Sequence, residues 1–326
     1  MGELSIIGLD LAKSVFQAHG AAADGSVVFR RKLTRPQVLR FFAELPRCTV
    51  AMEACASAHH WARAIASLGH AVRLIPPAYV KPYVKRQKND MADAEAIAEA
   101  ASRATMRFVA VKTEAQQAAA MAYRTRDLLV RQRTQTINAL RGHLAEYGVV
   151  APAGIVHVGR LSAAVEGDAD ALPGPVVELA RVLLAQIAAL TVQIDHIEKQ
   201  LRQRASQDDA IKRLMTIPGV GVIAASALTT FAPPPEVFAK GRDFAAWVGL
   251  TPRQHSSGGK ERLGKTTRMG QRDIRRLLIT GAVAVVRWAA RKGAQTGPGW
   301  RGCWPGSRAC WSRSRWPTAW RAWPGR

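Results

Sequence analysis

LSIIGLDLAKSVFQAHGAAADGSVVFRRK, residues 4–32, reads as three short strands in succession. Leu4 to Asp10 is an apolar run ending on an acid, and Ser14 to Gly20 is a second run after a tight turn. Ala23-Asp24-Gly25-Ser26 is a hairpin turn signal, and Val27 to Lys32 is the third strand. Working outward, Arg35 to Leu45 places Val38, Leu39, Phe41, Phe42 and Leu45 at helical spacing, with Pro36 in the permitted first turn. Cys48 to Glu53 reads as a fourth strand, Ser57 to Leu68 as a helix closed by Gly69, and Ala71 to Ile75 as a fifth strand stopped by Pro76-Pro77. Lys88-Asn89-Asp90-Met91-Ala92-Asp93-Ala94 then opens an alanine-rich helix.

Three antiparallel strands, helix–strand alternation and a late helix make an α/β pattern. This is the order of an RNase H-like fold, in which acids on the first strand, the fourth strand and a late helix converge. Asp90 and Asp93 stand three apart, on one helix face. Alone they are an ordinary helix start, where acids suit the dipole. With Asp10 and Glu53 they make four acids from three distant places, each beside apolar sequence, which is the pattern of a metal site.

The 326 residues suffice for two domains. Lys and Arg number 47 against 24 Asp and Glu, a net charge of +23, which favours a nucleic-acid partner. A membrane reading is disfavoured: no apolar run is expected to span, and MGELSIIGLD reads as a strand rather than a leader. Cys48, Cys55, Cys303 and Cys310 lack zinc-ligand spacing, so reduced thiols in a cytoplasm are expected.

From Lys112 to Tyr147 the chain is helical and basic, with Arg124, Arg126, Arg131, Arg133 and Arg141 interleaved with Leu and Ile. Gly148 to Pro175 reads as a linker and Val176 to Arg204 as a long amphipathic helix, so the two helices suggest a coiled-coil-like arm that either packs within the chain or dimerises. Ile217-Pro218-Gly219-Val220-Gly221 reads as a tight turn between helices. Backbone amides there, Gly219 and Gly221 included, suit a DNA phosphate as in a helix-hairpin-helix; a Gly-capped turn without ligand is the alternative. Ser256-Ser257-Gly258-Gly259 lies among Arg253, Lys260, Arg262 and Lys265, with Arg268 beyond. The glycines exclude regular structure, and a serine there can meet a phosphodiester or be a plain turn residue. Gln271 to Trp288 is a helix whose first turns carry Arg272, Arg275 and Arg276 against its dipole, so an anionic partner is expected for them.

Taken in order, Gly8-Leu9-Asp10, Met52-Glu53-Ala54, Lys88-Asn89-Asp90, Asp93-Ala94, Ile217-Pro218-Gly219-Val220-Gly221, Gly249-Leu250-Thr251-Pro252, Ser256-Ser257-Gly258, Leu263-Gly264-Lys265 and Arg275-Arg276-Leu277-Leu278 resemble the DEDD transposases of the IS110 type, relatives of the Piv-type DNA invertases. The resemblance covers roughly residues 4–292. It implies a RuvC-like domain (1–110), a helical arm (111–208, with linker 148–175) and a mostly α transposase domain (209–292). It also implies that Asp10, Glu53, Asp90 and Asp93 form the acid tetrad holding Mg²⁺ at a two-metal site, and that Ser257 is the catalytic serine. Mg²⁺ takes oxygen ligands, which carboxylates supply, and bound ions can activate a hydroxyl and stabilise the leaving oxygen. The implied partners are DNA (element ends and target), a structured element-encoded RNA and further copies of the chain, as a dimer or tetramer. A RuvC-like junction nuclease using water, and an inactive nucleic-acid-binding relic, are the alternatives.

The tail departs from this resemblance. Residues 300–326 hold six of the nine tryptophans, six arginines and no acid. Read one base earlier, every Trp or Cys codon contributes TG to a Leu, Met or Val codon, so all eight such positions turn aliphatic. A frameshift near residues 293–300, making 293–326 aberrant, is therefore expected, and the gene's nucleotide sequence decides it. Without the tail the charge is still +17 (47 minus 6 basic residues, against 24 acids).

Overall fold

The computed structural model describes residues 3–85, 89–167 and 172–292; Lys88 and the tail from residue 293 lie outside the described residues. The chain divides into two compact units, Met1–Gln117 and Ala118–Arg326.

In the first unit, β1 (Leu4–Asp10), β2 (Val15–Ala22) and β3 (Val27–Thr34) form an antiparallel meander. Its second turn is fixed by Asp24, whose Oδ1 accepts from Ser26 N at 2.9 Å, and by Gly25 at φ +85°. The helix expected over 35–45 is shorter: a 3₁₀ turn at Arg35–Gln37 leads into α1 (Val38–Ala43). β4 (Thr49–Glu53), α2 (Ala58–Ala66), β5 (Ala71–Ile75), α3 (Pro77–Val80) and α4 (Asp90–Ser102) follow. The sheet order is β3-β2-β1-β4-β5, with β4 parallel to both β1 and β5. Strand alternation splits the core in two. Ile7, Leu9, Phe16, Val50 and Met52 bury on one face with Phe42, Trp61 and Ile65. Ile6, Ala21 and Ala51 bury on the other with Ile97, Ala98 and Ala101 of α4.

Gly8 explains how α4 lies so close. A Cβ added there would sit 2.1 Å from Ala94 O and 2.7 Å from Ala98 N. A bare strand backbone meeting an alanine face lets the helix rest directly on β1.

α5 (Glu114–Ala145), which begins just before the second unit, shares a core there with α6 (Val158–Glu166) and α7 (Gly174–Ala205). The stretch 148–175 is thus more than a linker. Leu161 and Val165 of α6, four apart, bury with Leu140, Leu144 and Ile187, a spacing masked in the sequence by Ala and Gly around it. The expectation about spanning length also needs correction. Gly174–Ala205 is long and apolar enough to cross a membrane by length and composition alone. The reason is that its apolar residues occupy more than one face: Ile187, Leu190 and Ile194 are buried while Leu179, Val182 and Val192 are exposed.

A second core gathers α8 (Asp209–Met215), α9 (Val222–Phe231), α10 (Gly241–Val248) and α11 (Arg272–Lys292) around Leu214, Leu228, Val248, Ile274 and Leu278. Between α10 and α11 the flanks of the glycine pair are strands: β6 (Pro252–Gln254) and β7 (Leu263–Thr266) form a small antiparallel hairpin. The pair of glycines excluded from regular structure makes its tip, Gly258 at φ +57° and Gly259 at φ +75°.

Candidate active site

Asp10 ends β1 and Glu53 ends β4, one register step beyond the Leu9–Met52 pair of the parallel ladder. Leu9 and Met52 point into the α1–α2 core, so alternation turns Asp10 and Glu53 toward α4. Asp90 and Asp93 occupy the first turn of α4. Asn89 starts that turn as N-cap, its Oδ1 accepting from Ala92 N at 2.8 Å. The Gly8–Ala94 approach fixes the helix immediately after Asp93 against the strand that carries Asp10.

Electrostatics reports the outcome. The Asp10 carboxyl is pushed up to about 6, first by burial, then by the charges of Asp93, Asp90 and Glu53, against a pull from the Leu11 backbone amide. Asp10, Asp90 and Asp93 take part in no salt bridge among the described residues. The first unit therefore brings Glu53, Asp90 and Asp93 within electrostatic range of Asp10. Among the described residues no three His, Cys, Asp or Glu side chains stand close enough to hold one ion. The donor set is all oxygen, which fits a hard divalent cation. Cys55, two residues after Glu53, has its thiol raised by burial and then by the charges of Glu53 and Asp10.

In the second unit the two serines separate cleanly. Ser256 Oγ accepts from Arg262 N at 2.9 Å and donates to Gln254 Oε1 at 3.2 Å, so it closes the hairpin. The Ser257 hydroxyl has no partner among the described residues; only its carbonyl is engaged, by Lys260 N at 3.1 Å. Ser257 is exposed at the tip. Arg253, Lys260, Arg262, Lys265, Arg268 and Arg272 are exposed and form no salt bridge among the described residues.

The other basic residues of the expected nucleic-acid face are engaged within the fold. Arg275 donates to Val248 O at 2.7 Å, capping the end of α10, and Arg276 pairs with Asp127 of α5. The anion expected for Arg276 is thus internal, because α11 lies beside α5. Gly219, at φ +84°, is pressed against Gly281 of α11: a Cβ on Gly281 would fall 1.8 Å from Gly219 O. Gly221, by contrast, is exposed at the start of α9. Gly281 was missed in the sequence; a glycine inside the apolar helix Ile279-Thr280-Gly281-Ala282 was its only signal.

A family model described as "Transposase IS116/IS110/IS902 family" matches residues 211–296, and a second, for IS110-type DEDD transposases, matches residues 7–149. A Pseudomonas aeruginosa protein named "Probable family 20 transposase" is 49% identical over 291 residues, covering 89% of this chain and 86% of the relative. The transposase for insertion sequence element IS1328 of Yersinia enterocolitica is 42% identical, covering 86% and 83%. The transposase for insertion sequence element IS1111A of Coxiella burnetii is 39% identical, covering 90% and 80%.

Proposed function

The chain belongs to the IS116/IS110/IS902 transposase family, and from that premise we propose that it cuts and rejoins DNA with Asp10, Glu53, Asp90, Asp93 and Ser257. The observation that carries this reading is geometric: Asp10 and Glu53 end adjacent parallel strands and face the first turn of α4, which holds Asp90 and Asp93, and the raised Asp10 carboxyl agrees with it. Four converging carboxylates are costly as mere structure and sensible as ligands for a cation. The strand order β3-β2-β1-β4-β5, with the acids at the ends of adjacent parallel strands, supports an RNase H-like (RuvC-like) domain over 1–110. We extend the same reading to an arm over 111–208 and a transposase domain over 209–292.

Asp10, Glu53, Asp90 and Asp93 would hold two Mg²⁺ ions, which when bound neutralise phosphate charge and acidify a coordinated hydroxyl. The Ser257 oxygen attacks the phosphorus, the bond from phosphorus to the leaving strand's sugar oxygen breaks, and the strand departs with that oxygen protonated. The resulting phosphoserine conserves the bond for rejoining by a second strand's hydroxyl. The Ser257 hydroxyl, without a hydrogen-bond partner among the described residues and beside a bonded Ser256, supports that choice of nucleophile. The cations Arg253, Lys260, Arg262, Lys265, Arg268 and Arg272, without salt bridges among the described residues, suit the DNA backbone, with Gly221 a further phosphate contact; Arg275, Arg276 and Gly219 serve the fold first. A cytoplasmic oligomer acting on element ends and target, with an element-encoded RNA, completes the proposal.

The test is strand exchange on DNA carrying element ends. Asp10→Ala and Ser257→Ala should each abolish exchange and leave DNA binding largely intact. Normal exchange by Ser257→Ala removes the serine and leaves a nuclease that uses water.

A further inference from the structure

The sheet register extends the acid site in a direction the four carboxylates do not cover. Asp10 stands opposite Gln17 across β1 and β2, and Gln17 stands opposite Lys32 across β2 and β3. Directly opposed residues share a face. Phe16 and Ala18, on either side of Gln17, bury in the α1–α2 core, so Asp10, Gln17 and Lys32 form one row on the α4 face. With strands about 4.8 Å apart, the Lys32 backbone is roughly 10 Å from that of Asp10.

Gln17 is 9% exposed, and its carboxamide has no hydrogen-bond partner among the described residues. Its polar atoms still reach solvent, unlike the buried, unpartnered Nδ1 of His19 two residues on, so the donor is open to a ligand. Lys32 is exposed and forms no salt bridge among the described residues. A DNA phosphate approaching four carboxylates meets repulsion. In the row that starts at Asp10, the groups able to donate to it are a neutral amide and, one strand further, an ammonium.

We propose that Gln17 donates a hydrogen bond to a non-bridging oxygen of the scissile phosphate, and that Lys32 holds the neighbouring phosphate of the same strand. This rests on the acids being the DNA-cutting centre. Gln17 keeps its amide neutral and so adds a donor without competing with the carboxylates for a cation.

The test compares Gln17→Met, which keeps length and burial but removes the donor, with Lys32→Gln, both in the full chain, in single-turnover cleavage of DNA carrying element ends. Gln17→Met should slow cleavage at saturating DNA by on the order of 10²-fold. Mn²⁺ binding, read by electron paramagnetic resonance, and DNA affinity should stay unchanged. Sulfur in place of one non-bridging oxygen of the scissile phosphate should slow the wild-type protein at one diastereomer, and that penalty should shrink in Gln17→Met. Lys32→Gln should weaken DNA binding and lower its salt slope by about 1. Cleavage by Gln17→Met at the wild-type rate overturns the proposal. So does a wild-type protein indifferent to sulfur at both diastereomers, a measurement independent of whether the variant folds. Asp10→Ala run in parallel separates the two readings: if it still cleaves, the acid centre itself fails, whereas an inert Asp10→Ala beside a normal Gln17→Met refutes only the role of Gln17.

Discussion

The acid centre and the serine hairpin are built in opposite ways. Asp10, Glu53, Asp90 and Asp93 are carried by a helix laid on a sheet with no side chain between Gly8 and Ala94, and the central residues of the strands β1 and β4 are buried. Ser257 is carried by strands of three and four residues, exposed along nearly their whole length, with two glycines at the turn. A group of like charges needs a stiff frame, since repulsion otherwise spreads it. A nucleophile that attacks one strand and is then attacked by another needs access from solvent. The difference teaches that the two halves of the chemistry are sensitive to different damage: the acids to packing, the serine to its own oxygen and little else.

The largest expected effect breaks the comparison at the serine. Ser257→Ala should remove strand exchange entirely while the melting temperature stays put, because the hydroxyl makes no hydrogen bond among the described residues. Thermal denaturation beside the exchange assay checks both halves, and a marked loss of stability would mean Ser257 is structural. Next comes Gly8→Ala. Its Cβ has no room, so α4 must shift, at a cost of about 1–3 kcal/mol or more in denaturant unfolding of the chain, together with activity. A Gly8→Ala protein as stable and active as wild type would show that the helix and strand do not set the acid geometry. Smaller again is Ser256→Ala. Losing two hydrogen bonds at an exposed hairpin should cost about 1 kcal/mol locally and reduce exchange without abolishing it. If Ser256→Ala were the inert variant and Ser257→Ala the active one, the two serines would trade places.

The same contrast governs what could be read from the sequence. β1, β5 and the Asn89–Asp90 helix start are legible because an apolar run or a capping residue bounds each one. The acids are legible as candidates because carboxylates interrupt apolar strands. The hairpin was not, since three exposed residues, Pro252, Arg253 and Gln254, carry no alternation to detect. Nor was α6, where only Leu161 and Val165 betray a buried side within small residues. Gln17 sat in plain view inside Val15-Phe16-Gln17-Ala18, but nothing in one strand says which residue stands opposite it on the next. Gly219 and Gly281 meet only through tertiary packing, so a turn read as a phosphate cradle is in part a helix contact.

The smallest effect tests the frame's cost directly. Asp10 has a folded value of about 6 against 3.8 for a free aspartate, so the folded chain binds that proton more tightly than the unfolded one. Stability should therefore fall as pH rises from about 4 through 6 and level off above it. Asp10→Asn, measured in chelator, should gain stability at pH 8 and none at pH 4. Two units correspond to a ceiling near 3 kcal/mol, and solvent screening of a partly exposed group brings the gain to about 1. His19, whose buried ring is held below the usual histidine range, destabilises both proteins alike in acid, so the difference between them isolates Asp10. Excess Mg²⁺ should reverse the order at pH 8, stabilising wild type by mass action and the variant less. An Asn variant no more stable than wild type at pH 8 would mean the acids do not strain one another, and the hairpin and the acid centre would then differ in exposure alone.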